Sequence, residues 1–140
     1  MKSLLVPVDG SDAAVRAVDH AIALARRFGD VKLTLINVQQ TLERWYTGGL
    51  LNHEALAHLQ QLGEQDAAVA RAHLDAAGLS HEFKVLFGHP GEVIARAGND
   101  PQCIGIVMGT RGLGDMAQVL LGSTAYKVMH LAEVPVTLVK

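Results

Sequence analysis

The chain has 140 residues, 49% of them hydrophobic and 19% charged, with a formal net charge of −2. That length suits one domain, residues 1–140, able to bury about 68–70% of the surface its unfolded chain exposes. The charge offers no basic field for nucleic acid, no apolar run approaches the ~20 residues of a membrane span, and the single cysteine, Cys103, excludes an internal disulfide.

Met1-Lys2-Ser3 leads straight into a strand pattern without a signal-peptide core, so a cytoplasmic location is expected. Leu4, Leu5, Val6 and Val8 form the continuous run of a strand buried on both faces. Pro7 removes an N–H, so that strand ends there and Asp9-Gly10 turns the chain. Ser11 suits the N-cap of a helix whose stripe is Ala14, Val15, Val18, Ile22 and Ala25, stopped by Gly29. Residues 31–38 give a second strand. Periodicity then fails over 39–50, around Thr47-Gly48-Gly49, where Trp45 and Tyr46 would cover apolar surface or, if the loop reaches this end of the sheet, bring one ring over a bound base. A long helix follows over about 51–77, with Leu59, Leu62, Val69 and Leu74 near one face and Gly78 as its stop. Phe83, Val85 and Phe87 mark a third strand, and Gly88-His89-Pro90-Gly91 turns into a short helix carrying Val93, Ile94 and Ala97. Residues 104–108 make a fourth strand, 123–130 a helix and 134–139 a fifth strand. Strands alternating with helices predict a parallel sheet with right-handed crossovers in a three-layer α/β sandwich.

Residues 108–124 read MGTRGLGDMAQVLLGST and leave the fourth strand to open the last helix. The spacing is G-x2-G-x9-G-S, from Gly109 and Gly112 to Gly122-Ser123, with Thr124 adding a second hydroxyl. Glycines permit positive φ and close backbone approach, and a helix N-terminus offers unpaired N–H groups to a phosphate. Gly109, Gly112 and Gly114 also suit plain turns, and Ser123 suits a plain cap.

The whole pattern, with Ile106-Val107-Met108 before it and Ser123-Thr124-Ala125 closing it, resembles the nucleotide-binding signature of the universal stress protein family, in its ATP-binding branch. The opening LLVPVDGSD and the final VPVTLVK extend the resemblance over the full chain. It implies an adenine nucleotide alpha hydrolase-like fold, a five-stranded parallel sheet in order 3-2-1-4-5. Winding would reverse between strands one and four, and ligands of open α/β sheets sit at such a reversal. The positions that resemble the family's site are Pro7, Val8, Asp9, Val38, Met108, Gly109, Gly112, Gly122, Ser123 and Thr124, with Arg111 as an added charge inside the loop. Backbone groups of Val38 and Met108 would meet adenine, Asp9 would hold ribose or a phosphate-bound Mg²⁺, and the loop amides with Ser123 and Thr124 would cradle the phosphates of ATP, ADP or AMP. One departure precedes the motif: Ile104 stands where the family usually has an acidic residue.

The implied function is an ATP-binding stress-response module that signals to protein partners its sequence does not name. A slow ATP hydrolase is the alternative, although no histidine, glutamate or lysine of these motifs is placed to activate water. A ligand-free interaction module is another. A phosphoacceptor domain would want an aspartate after the third strand, where Phe87-Gly88-His89 has none. No two of the seven histidines lie three or four apart, so no transition-metal site is expected. The resemblance and the apolar residues Val134, Val136, Leu138 and Val139, uncharged until Lys140, together imply a homodimer joined through this last strand.

Overall fold

A computed structural model describes residues 1–41, 46–47, 50–51, 53–113, 118 and 120–140. Trp45 and Gly114 lie outside the described residues, as does the side chain of Tyr46.

β1 (Lys2–Pro7) is the central strand of the main sheet, because Leu4 and Val6 face one layer of helices while Leu5 faces the other. α1 (Asp12–Phe28) follows, capped by the Ser11 hydroxyl, which accepts from the Ala14 N–H at 3.2 Å, and closed by Gly29 at φ +90°. β2 (Val31–Gln39) pairs with β1 from Lys2↔Val31 to Pro7↔Ile36. The stretch read as unpatterned contains a two-rung antiparallel hairpin, β3 (Tyr46–Thr47) and β4 (Leu50–Leu51), so α2 (His53–Ala76) starts two residues later than expected.

The apolar face of α2 differs from the expected one. Leu59 and Leu74 are buried, but Val69 is 57% exposed, and the rest of the inner stripe is Gly63, Ala67 and Ala70. Small residues bring this helix close to the sheet. β5 (His81–Phe87), α3 (Pro90–Ala97), β6 (Cys103–Gly109), α4 (Ser123–Leu131) and β7 (Val136–Val139) complete the chain. All pairings in the main sheet are parallel and its order is β5-β2-β1-β6-β7, which is the expected 3-2-1-4-5.

α1 and α2 cover one face, through Ala17, Val18, Ala21, Ala67 and Leu74, and α3 and α4 cover the other, through Ile94, Ala125 and Val128. Cys103 is buried in that second layer, where desolvation pushes its thiol pKa up; it is the small hydrophobe expected. The departure at Ile104 coincides with an irregularity: Ser3 opposes Cys103, but Leu4 opposes Gly105, so Ile104 is the extra residue of a bulge. Among the described residues no helix is long and apolar enough to cross a membrane.

Candidate functional site

β1 leads into α1 on one face of the sheet and β6 leads towards α4 on the other. The two connections diverge and leave a cleft over the carboxyl ends of these neighbouring strands. Counting the part open to solvent, the cleft encloses about 780 Å³. All eleven residues singled out in the sequence line it: Pro7, Val8, Asp9, Val38, Met108, Gly109, Arg111, Gly112, Gly122, Ser123 and Thr124.

Pro7, Val38 and Met108 share the α3/α4 side of the sheet with Ile36 and Ile94, and give the cleft an apolar floor. Sequence reasoning missed Ile36 and Ile94, as well as Ser11, Thr110 and Leu113. Thr110 carried a readable signal, being a hydroxyl inside the motif. Its side chain is buried, its N–H donates to the Val139 carbonyl at 2.9 Å, and its carbonyl accepts from the Gly122 N–H at 2.6 Å. The loop therefore leaves and returns at one point, which presents α4 to the cleft.

At that return Gly122 is the N-cap of α4, with φ −70° and ψ 162° and no side-chain cap. The first-turn N–H groups at Ser123 and Thr124 have no intrahelical acceptor, and both residues line the cleft. Asp9 stands at the opposite wall. Its Oδ1 accepts from the Ser11 N–H at 2.9 Å and its Oδ2 from the Leu113 N–H at 3.1 Å, so one carboxylate ties the β1 turn to the glycine loop. Among the described residues lining the cleft, Asp9 and Arg111 are the charged ones.

Two expectations need correction. Positive φ among the described glycines belongs to Gly10, Gly29, Gly78 and Gly88, so Gly109, Gly112 and Gly122 are not there for left-handed backbone. Gly109 is required by packing: a Cβ on it would lie 2.9 Å from the Ala13 Cβ and 3.2 Å from the Ala14 N in the first turn of α1. The second correction concerns Met108. The Ile106 N–H donates to Pro135 and the Thr110 N–H to Val139, so the alternation of a parallel ladder points the Met108 backbone at β7. Only its side chain reaches the cleft.

Val38 lines the same cleft. β2 alternates, with the Ile36 carbonyl accepting from Val8 on the β1 side and the Gln39 carbonyl accepting from Gly88 on the β5 side. The N–H and C=O of Val38 therefore face the space beyond the end of β1, at the cleft.

The Usp profile, described as the universal stress protein family, matches residues 1–140. A universal stress protein of Thermus aquaticus is 36% identical over 140 residues, spanning 99% of this chain and 98% of the relative. Two solved structures share the fold at lower identity. One is the universal stress protein of Archaeoglobus fulgidus in complex with dAMP, at TM-score 0.69 and 23% identity over 100% of this chain and 98% of that one. The other is a family protein of Arabidopsis thaliana with AMP bound, at TM-score 0.68 and 21% identity over 100% and 92%. The sheet order, the helices on both faces and the match over every residue make the chain a member of the universal stress protein family.

Proposed function

We propose that the chain binds an adenine nucleotide, ATP or its ADP and AMP relatives, in the cleft between β1 and β6, and that occupancy sets its behaviour as a cytoplasmic stress-response module. The observation that carries this reading is the pairing of two unspent sets of backbone polar groups on one apolar floor. The Val38 N–H and C=O lie at one end and the first-turn amides of α4 at the other. Adenine offers an N1 acceptor beside an N6 amino donor, which complements a backbone N–H beside a carbonyl. Phosphates suit a helix N-terminus with Ser123 and Thr124 hydroxyls and Arg111 nearby. The fold neighbours solved with dAMP and AMP support the ligand class.

Asp9 fits a supporting role towards Mg²⁺. Each of its oxygens accepts one backbone N–H and keeps lone pairs. No cluster of three acidic, histidine or cysteine side chains occurs among the described residues. A single carboxylate joined by phosphate oxygens and water is the ligand set Mg²⁺ accepts, and the ion would offset phosphate charge.

The dimer reading shifts from side chains to backbone. Val136 and Leu138 pack, half-buried, against the α3/α4 layer and Val139 against the α1/α2 layer, so these side chains are already partly engaged inside the subunit. What β7 offers a second copy is the outward row of N–H and C=O groups of an edge strand.

Mass spectrometry of freshly purified, denatured protein tests the reading. An adenine nucleotide released in near-stoichiometric amount is the expected result. A preparation that carries none, and whose melting temperature millimolar ATP, ADP and AMP leave unchanged, would refute it.

A further inference from the structure

Asn37 is a polar side chain inside a strand where Leu35 and Ile36 are fully buried, and it is itself only 3% exposed. A buried carboxamide has to find partners, and this one has them at the end of β1, on α2 and on its own strand. Its Nδ2 donates to the Val8 carbonyl at 2.8 Å, with Asp66 Oδ2 at 3.5 Å. Its Oδ1 accepts from Gln39 Nε2 at 2.8 Å, and Gln39 Nε2 also donates to Asp66 Oδ2 at 3.0 Å. Gly63 makes room for the group. A Cβ there would lie 2.9 Å from Asn37 Oδ1 and 2.7 Å and 2.8 Å from the two Val85 methyls. α2 carries a mid-helix glycine, which weakens a helix, at the point where it meets this side chain.

The acceptor Asn37 occupies is the informative one. Val8 donates its N–H to the Ile36 carbonyl at 2.8 Å, and the next rung of a regular parallel ladder would run from the Val38 N–H back to the Val8 carbonyl. Asn37 takes that carbonyl instead.

We propose that Asn37 is a specificity-positioning residue: by capturing the Val8 carbonyl it stops the β1–β2 ladder one rung early and reserves the Val38 N–H for the adenine edge. The proposal rests on the adenine nucleotide reading above and adds to it the device that keeps the base-reading donor unspent. Gln39 and Asp66 orient the carboxamide, and Gly63 lets α2 bring Asp66 close enough to do so.

Amide hydrogen exchange of nucleotide-free protein tests this, because the expected change runs against ordinary damage. In Asn37→Leu the missing rung closes, so exchange at Val38 should slow by about tenfold or more; mere loss of structure would speed it. AMP should bind the variant roughly three- to tenfold more weakly than the parent. A 1-deaza analogue of AMP, which lacks the N1 acceptor, should bind both alike. Exchange at Val38 that stays the same or quickens, or equal losses for AMP and the analogue, would overturn the proposal. Gln39→Ala, at a half-buried position, releases the carboxamide without emptying the core and carries the test if Asn37→Leu does not fold. Slower Val38 exchange there supports the proposal, and unchanged or faster exchange overturns it. A parent that binds no AMP refutes the nucleotide reading and with it the adenine role of Asn37, whereas the exchange arm reports separately on whether Asn37 holds the ladder open.

Discussion

Replacing Gly109 by alanine separates packing from ligand contact in the glycine motif. The added Cβ would lie 2.9 Å from the Ala13 Cβ, 3.1 Å from the Ala13 carbonyl carbon and 3.2 Å from the Ala14 N. Two of these three atoms are backbone of the first turn of α1, so no rotamer change relieves them and the helix must retreat by a few tenths of an ångström. Overpacking of this kind costs about 1–3 kcal/mol. An unfolding entropy of roughly 2.1 cal/mol/K per residue gives a domain of this length about 0.3 kcal/mol/K, so the melting temperature should fall by about 3–10 °C. Calorimetric melting of nucleotide-free Gly109→Ala measures this directly. Because Ser11 caps that turn and accepts from Ala14, the retreat should also disturb Asp9 and weaken nucleotide binding. A variant that melts with the parent while losing its nucleotide would refute the packing argument and return Gly109 to ligand contact alone.

Ser123→Ala should keep the fold and weaken ATP binding by roughly 10- to 150-fold, the value of a charge-assisted hydrogen bond, as read by isothermal calorimetry; parental affinity would exclude the hydroxyl. Asp9→Asn keeps an acceptor for the Ser11 N–H but removes the charge, so titrations should show a larger loss with Mg²⁺ than without it. Equal losses would assign Asp9 to ribose. Thr137 is the exposed residue of β7, and Thr137→Lys should set like charges close together across a two-fold axis and shift light-scattering mass from dimer to monomer. A parent that is monomeric at tens of micromolar, or a variant that stays dimeric, would contradict the edge-strand interface.

The order of elements was legible because each depends on local rules. The both-face run Leu4-Leu5-Val6, the Ser11 cap and the Gly29 stop all specify what is found. The strand order came with the family resemblance, since no local pattern says which parallel strands are neighbours. The inner face of α2 was misread because hydrophobic size was used as its marker, whereas close approach to β2 and β5 selects small residues and leaves Val69 outside. The cleft residues were legible where a motif carries them. Ile36 and Ile94 were not, because they meet only when α3 folds across the end of β2. Met108 shows the limit of motif reasoning: its membership of the cleft was readable, but the direction of its backbone depends on pairing with β7. Asn37 did leave a trace, a lone amide within Leu35-Ile36-Asn37-Val38, and a polar group in a strand buried on both faces implies a specific partner.

Calorimetric titration of nucleotide-stripped protein with ATP, run beside Ser123→Ala, is the most direct test of the central claim. The cleft geometry predicts one ATP bound per chain and a marked loss of affinity in the variant. No binding heat up to millimolar ATP, ADP or AMP, or identical binding by the two proteins, would contradict it.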